Sequence, residues 1–306
     1  MCARSSTTAC APCSRPSSRR AGWRRRASRS SRRFPSRPAS RRLAAGSRRW
    51  LRGARARPRS RRGPRRSGGS RCAMAAPRRW AALRYSAAMR VPPAIIAIGR
   101  NYADHAAEMG GKTDELPMVF MKNPASVCGD GDEIVIPPIC RHGGPQVDFE
   151  GELAFEIARD CRDIAEADAL SAIAGYRVAN DVSARWWQKT GSGGQFCRGK
   201  SFDTFCPLGP LVSAAAVPDP QDLEIETLVN GERMQHARTS LMVFGVRYLV
   251  AELSKGTTLL AGTIVLTGTP AGVGAGRKPP VYLKDGDLVE VRIERVGAIR
   301  NRVREA

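Results

Sequence analysis

Between Val147 and Ile157 the chain reads Val-Asp-Phe-Glu-Gly-Glu-Leu-Ala-Phe-Glu-Ile, apolar or small residues alternating with acidic ones apart from Ala154. A period of two predicts a half-buried β-strand. Val147, Phe149, Leu153, Phe155 and Ile157 then face a core, and Glu150 and Glu152 share the opposite face with Cα atoms about 6.6 Å apart. Like charges at that spacing repel, and glutamate is a poor strand residue, so the arrangement is unfavourable unless a cation lies between the carboxylates. A solvated outer face is the plain alternative. A second strand-like run, Gly175 to Val182, delivers Asp181 near its end. Three carboxylates with no Cys/His pair nearby suit Mg²⁺, Mn²⁺ or Ca²⁺ better than zinc.

The elements that must position these groups follow from pattern. Ala94 to Ile98 is a short apolar strand, and Ala103 to Met109 a helical turn or two closed by Gly110-Gly111. On that turn His105 and Glu108 are three apart and share a face. Gly129 to Asp132 reads as a turn before the strand Ile134 to Ile136. Ile164 to Ala174 has helical spacing, and Ser183 is placed to N-cap a helix that starts beside Arg185. Gly191 to Gly199 is a Gly/Ser-rich loop, Asn230-Gly231 marks a hairpin, and Ser240 is placed to cap a helix through about Leu253. The C-terminal part is strand and turn, over Thr263 to Leu266, Leu288 to Ile293 and Ile299 to Val303. Many short strands with few helices make the class β-rich α+β.

The chain has 306 residues and a formal charge of +23. Residues 1–90 hold 28 Arg and no Lys, Asp, Glu or His, so residues 91–306 carry 23 basic groups against all 28 acidic ones, a net of −5. The basic pI therefore describes an appendage. Its Arg/Ser/Ala/Pro/Gly composition cannot bury enough apolar surface to fold. It reads as a targeting segment, a nucleic-acid-binding arm, or sequence upstream of the true start. Met74 to Arg90, with Arg spaced among Ala, Leu and Trp, looks like a short mitochondrial presequence, with chloroplast or cytoplasm as alternatives. The nucleic-acid arm is the least favoured, since the acidic body offers no basic groove. Cys10 and Cys13 form a CxxC with no second pair to complete a zinc site. The five cysteines beyond residue 90 are irregularly spaced, which points to a reducing compartment. No apolar run approaches a membrane span, so residues 91–306 are expected to be a soluble catalytic or binding domain.

Five segments, Gly99-Arg-Asn-Tyr-Ala-Asp-His105, Asp148-Phe-Glu-Gly-Glu152, Asn180-Asp-Val-Ser-Ala-Arg185, Gly199-Lys-Ser-Phe-Asp203 and Thr267-Gly-Thr-Pro-Ala-Gly-Val273, stand in one order. Together they resemble the catalytic domain of the fumarylacetoacetate hydrolase family over residues 94–303. The resemblance implies a mixed β-sandwich roll, a homodimer, and one Mg²⁺ or Mn²⁺ per subunit. It places Glu150, Glu152 and Asp181 on metal-ligand positions and Lys200 beside metal and substrate. His105 and Glu108 fall on a lid dyad, and Arg185, Gln188 and Thr269 on positions lining the substrate site.

The implied substrate is an oxo-dicarboxylate or related 2,4-dioxo acid, chelated through its carboxylate and 2-oxo group, with the cation and Lys200 stabilising an enolate. Within the family, the expectation is oxaloacetate keto-enol tautomerase activity first, and acylpyruvate hydrolysis or oxaloacetate decarboxylation second. For hydrolysis, His105 held by Glu108 would activate water. The competing class is a non-enzymatic dicarboxylate-binding or nucleic-acid-binding protein. One departure stands out: Trp186 follows Arg185 where family members often carry Asp, which removes a possible charge partner.

Overall fold

The structure is a computed structural model that describes residues 91–306. The Arg-rich segment, the Met74 start and the Cys10/Cys13 pair lie outside the described residues.

Fifteen strands run along the described chain: β1 Ile95–Gly99, β2 Met118–Lys122, β3 Val127–Gly129, β4 Ile134–Ile136, β5 Val147–Asp148, β6 Gly151–Ile157, β7 Ile173–Asn180 and β8 Ser183–Ala184. They continue as β9 Cys206–Leu208, β10 Val212–Ser213, β11 Glu224–Val229, β12 Glu232–Arg238, β13 Ile264–Leu266, β14 Leu288–Ile293 and β15 Gly297–Glu305. Four short helices interrupt them, α1 Ala103–Glu108, α2 Arg185–Lys189, α3 Phe196–Gly199 and α4 Val246–Ser254. The fold is β-rich α+β.

The larger sheet has eight strands in the order β2-β1-β13-β6-β7-β9-β3, with β10 also paired to β7. It is mixed, since β1 runs parallel to β13 and β3 parallel to β9. A five-stranded sheet, β12-β11-β14-β15-β4, and the two-stranded pair β5-β8 complete the set. Leu153, Phe155, Tyr176 and Val178 of the larger sheet pack with Ile225, Val291 and Ile299 of the smaller one. The opposite face of the larger sheet carries a second cluster in which Ile95, Leu208, Ile264 and Leu266 are interspersed with the small residues Ala97, Ala154, Ala179 and Cys206. That face leaves room for long polar side chains to converge.

The period-two strand is interrupted. β5 ends at Asp148, Phe149 and Glu150 lie between strands, and β6 begins at Gly151. Both faces of β6 are buried, Leu153, Phe155 and Ile157 in one apolar cluster and Ala154 in another. The expected half-buried strand is therefore a core strand, and its alternation separates a large-residue face from a polar site, not core from solvent.

Four local expectations are corrected. The helical spacing of Ile164 to Ala174 forms only a 3-10 stretch, Glu166–Ala172, before β7 starts at Ile173. Ser183 lies in β8 and donates to the Asp181 carbonyl, so Ala184 occupies the N-cap of α2 without a side-chain cap. Ser240 lies in a 3-10 turn, and α4 starts six residues beyond it at Val246, after Gly245. The Gly/Ser-rich run also ends in α3 and is not loop throughout. The Asn230-Gly231 hairpin is present, both residues having positive φ (53° and 83°), as a type I′ turn requires.

Candidate active site

Glu150 precedes β6, Glu152 lies within it, and Asp181 immediately follows β7, its antiparallel neighbour. Pairing of Gly151 with Asn180 brings the ends of the two strands together. The Asp181 amide donates to the Glu150 carbonyl at 2.8 Å, and the Glu150 amide donates to Asn180 Oδ1 at 3.0 Å. One carboxylate oxygen from each of Glu150, Glu152 and Asp181 then lies within 4.8 Å of the others, and all three residues are buried.

Three buried cations close on this cluster. Lys200, which follows α3, lies 2.6 Å from both Glu150 Oε2 and Asp181 Oδ2. Lys122, at the end of β2, lies 2.5 Å from Asp181 Oδ1 and also donates to the Lys200 carbonyl. Arg185, the first residue of α2, lies 2.6 Å from Glu150 Oε1, donates from Nε to Asp148 Oδ2 at 2.8 Å, and donates to Gln188 Oε1 at 3.1 Å. With Asp148 included, four buried carboxylates face three buried cations, a net charge of −1.

Glu152 holds the unbalanced charge. Its carboxylate accepts from the Gly268 amide at 2.7 Å, and among the described residues it forms no ion pair. Burial, then Asp181 and Glu150, push its pKa well above the ordinary carboxylate range. Glu150 behaves oppositely: burial alone would raise it, but Lys200, Arg185 and His105 hold it down to about 2. Burial would lower the Lys200 pKa, yet Asp181 and Glu150 outweigh that and raise it. Lys200 is thus an ammonium at neutral pH.

Hard oxygen donors, close spacing, burial and an unpaired carboxylate fit a divalent cation. Glu150, Glu152 and Asp181 would hold it, leaving the site at +1 and so complementary to an anion. The donor set does not select among Mg²⁺, Mn²⁺ and Ca²⁺.

The remaining expected residues converge here as well. His105, Glu150, Glu152, Lys200 and Thr269 line one cavity of about 80 Å³. His105 Nδ1 lies 3.4 Å from Glu108 Oε2, and the Glu108 carboxylate is fixed by the Gly272 amide at 3.0 and 3.1 Å. Glu108 thereby orients the imidazole. Arg185 and Gln188 sit behind Glu150, joined to each other and not among the lining residues.

Four residues beyond that set also build the site. Asp148 ties Arg185 to the loop after β13 by accepting the Gly274 and Ala275 amides at 2.8 and 2.9 Å. Gln235 donates to Thr269 Oγ1 at 2.7 Å and accepts from the Gly151 amide at 2.9 Å, so it aligns that loop with β6. Asn180 positions Glu150, and Lys122 clamps Asp181. Lys122 carries a sequence signal, a charged residue at an inward position of an apolar run; Gln235 carries none, because a register shift between Thr227 and Leu228 breaks the alternation of its hairpin.

Trp186 does not face the carboxylates. Its ring meets His142 edge-on at 4.3 Å between centroids and packs against Gly143 and Gly191, where an added Cβ would lie 2.5 and 2.2 Å from ring atoms. The residue acts as a packing wedge between two loops. The charge balance at Arg185 is supplied by Asp148 and Glu150 instead.

Residues 94–304 match the fumarylacetoacetate (FAA) hydrolase C-terminal family. The mitochondrial oxaloacetate tautomerase fahd2 of Xenopus laevis is 47% identical over 213 residues, 69% of this chain and 66% of that protein, so the chain spans just under two thirds of that relative. A 2,4-didehydro-3-deoxy-L-rhamnonate hydrolase from Sphingomonas is 46% identical over 224 residues, 72% of this chain and 77% of that one. The solved fumarylacetoacetate hydrolase of Exiguobacterium antarcticum superposes with a TM-score of 0.64 at 45% identity, covering 71% of this chain and 76% of that one. By its sequence, its strand order and the architecture it shares with that structure, the chain belongs to the fumarylacetoacetate hydrolase family of enzymes.

Proposed function

We propose that residues 91–306 form a divalent-metal-dependent enzyme that interconverts the keto and enol forms of oxaloacetate or a related 2,4-dioxo acid. The observation that carries this reading is one cavity lined by Glu150, Glu152, Lys200 and His105, with Asp181 completing the acid triad and Glu108 holding His105. The name of the Xenopus relative supports the same reaction. A bound divalent cation would supply the Lewis acidity that makes a 2-oxo acid easier to enolise.

The chain's own groups supply the rest. Lys200, buried beside Glu150 and Asp181, places positive charge where enolate oxygen charge develops. Glu108 accepts from His105 Nδ1, which leaves Nε2 as the nitrogen able to take a proton. For enol to keto, a proton leaves the 2-hydroxyl and one arrives at C3. His105 takes one and returns one, so nothing is consumed.

Hydrolysis of an acylpyruvate is the second reading, favoured by the same dyad, which could activate water, and by the Sphingomonas hydrolase relative. Decarboxylation of oxaloacetate belongs to it. Following enol-oxaloacetate by ultraviolet absorbance while assaying pyruvate in the same sample separates the readings: enol loss alone means tautomerase, and pyruvate means decarboxylase. We also place the enzyme in mitochondria as a homodimer, the first following the relatives' names and the second the family resemblance.

A further inference from the structure

Arg100 and Lys189 line the same cavity as His105 and Lys200, yet the proposed chemistry uses neither. Arg100 follows β1 with φ 55°, in the left-handed region that side-chain-bearing residues rarely adopt. Such a conformation persists only where neighbours enforce it. Asn101 does so: its side chain donates to Phe244 O at 3.0 Å and Thr267 O at 2.7 Å and accepts from the Phe244 amide at 2.7 Å. The next residue is locked, so the kink falls on Arg100.

The guanidinium lies beside Gly111, where an added Cβ would be 3.6 Å from Arg100 Cζ. Its acidic partner is Asp114 at 3.7 Å, a half-exposed pair without a hydrogen bond, the kind of contact that contributes little. Lys189, the last residue of α2, is exposed and forms no ion pair among the described residues. Ile98, Met109, Phe120 and Phe196 supply apolar lining of the same cavity. The cavity therefore combines a buried floor of Glu150, Glu152 and Lys200 with two weakly engaged, more exposed cations.

We infer that Arg100 and Lys189 form a subsite for a second carboxylate, which makes the site selective for 2-oxo dicarboxylates over 2-oxo monocarboxylates. This deepens the proposed function and rests on the floor binding a 2-oxo acid. Arg100 supplies the planar fork that matches a carboxylate, and Lys189 a mobile point charge. On binding, Arg100 exchanges its long contact with Asp114 for the substrate.

The test is calorimetric titration of the Mg²⁺-loaded full chain with oxaloacetate and with pyruvate, which lacks the second carboxylate. The expected result is that Arg100→Gln weakens oxaloacetate binding at least tenfold while changing pyruvate binding less than twofold. Lys189→Gln should have a smaller effect in the same direction, and KM for oxaloacetate should rise more than kcat falls. Unchanged Mg²⁺ affinity in each variant shows that the floor is intact. Equal losses for both ligands, or none for oxaloacetate, overturn the subsite. Discrimination without any turnover sinks the tautomerase reading and leaves the subsite standing; turnover by a wild-type chain that binds the two ligands equally does the reverse.

Discussion

Replacing Glu152 by Gln should make the metal-free protein more stable and remove most of the stabilisation that Mg²⁺ gives the wild type. The reason is the unbalanced carboxylate. At an effective dielectric of about 20, two unit charges 4.8 Å apart repel by about 3.5 kcal/mol. Linkage gives an independent ceiling. The Glu152 pKa is raised on folding, so its favourable contribution is complete below the unfolded value, 4.5, and is lost as pH rises toward the folded value. At pH 7 that loss is at most about 3.4 kcal/mol, from roughly 1.36 kcal/mol for each pH unit above the unfolded value. Gln has no charge to lose, and its carbonyl can still accept from Gly268. In EDTA at pH 7, Glu152→Gln should therefore raise Tm by roughly 5–10 °C, at about 2–4 °C per kcal/mol. The gain should shrink toward zero near pH 4.5. Added Mg²⁺ should stabilise the wild type, by about 2.7 kcal/mol at a hundredfold excess over Kd, and barely shift the variant. Scanning fluorimetry across pH, with and without Mg²⁺, reads all three effects. A variant less stable than wild type in EDTA at pH 7, or one with an undiminished Mg²⁺ shift, would refute the charge argument.

Other outcomes follow from single contacts. Asp181→Ala should abolish activity and Mg²⁺ binding together and also destabilise by about 3–5 kcal/mol, because Lys122 and Lys200 lose a buried partner; calorimetry and denaturant unfolding check each part. His105→Ala should leave Mg²⁺ affinity within about twofold while activity falls on the order of 10²-fold or more, the usual weight of a positioned base. Mg²⁺ affinity should rise with pH, since any proton held by Glu152 must leave before the cation binds, and a pH-independent Kd would contradict the raised pKa. Gly191→Ala should destabilise measurably and be relieved by Trp186→Ala, because its Cβ would fall 2.2 Å from the Trp186 ring.

The site was legible where chemistry rides on a simple period. Glu150, Glu152 and Asp181 stand at or beside the ends of two adjacent strands, and the alternation over Val147 to Ile157 marks the first two. What it could not show was the exposure of the second face. Alternation of large and acidic residues reads as core against solvent, whereas here the second face is also buried, in a cluster of Ala154, Ala179 and Cys206 with Ile95, Ile264 and Leu266. Lys122, Asp148 and Gln235 reach the site across sequence separations of 59, 37 and 84 residues. No local pattern encodes such distances; the sheet order does. Ser183 and Ser240 failed as helix caps because sheet pairing and a 3-10 turn claimed those backbones first, a case of tertiary context overriding local preference.

The most direct test of the central claim is a time course of purified chain with enol-oxaloacetate and Mg²⁺, in which enol absorbance and pyruvate are measured together and the assay is repeated with Asp181→Ala. Loss of the enol signal above the buffer rate, without pyruvate, and abolished by EDTA or by Asp181→Ala, is the result this account predicts. Stoichiometric pyruvate release, or enol decay at the buffer rate with Mg²⁺ present, would contradict it.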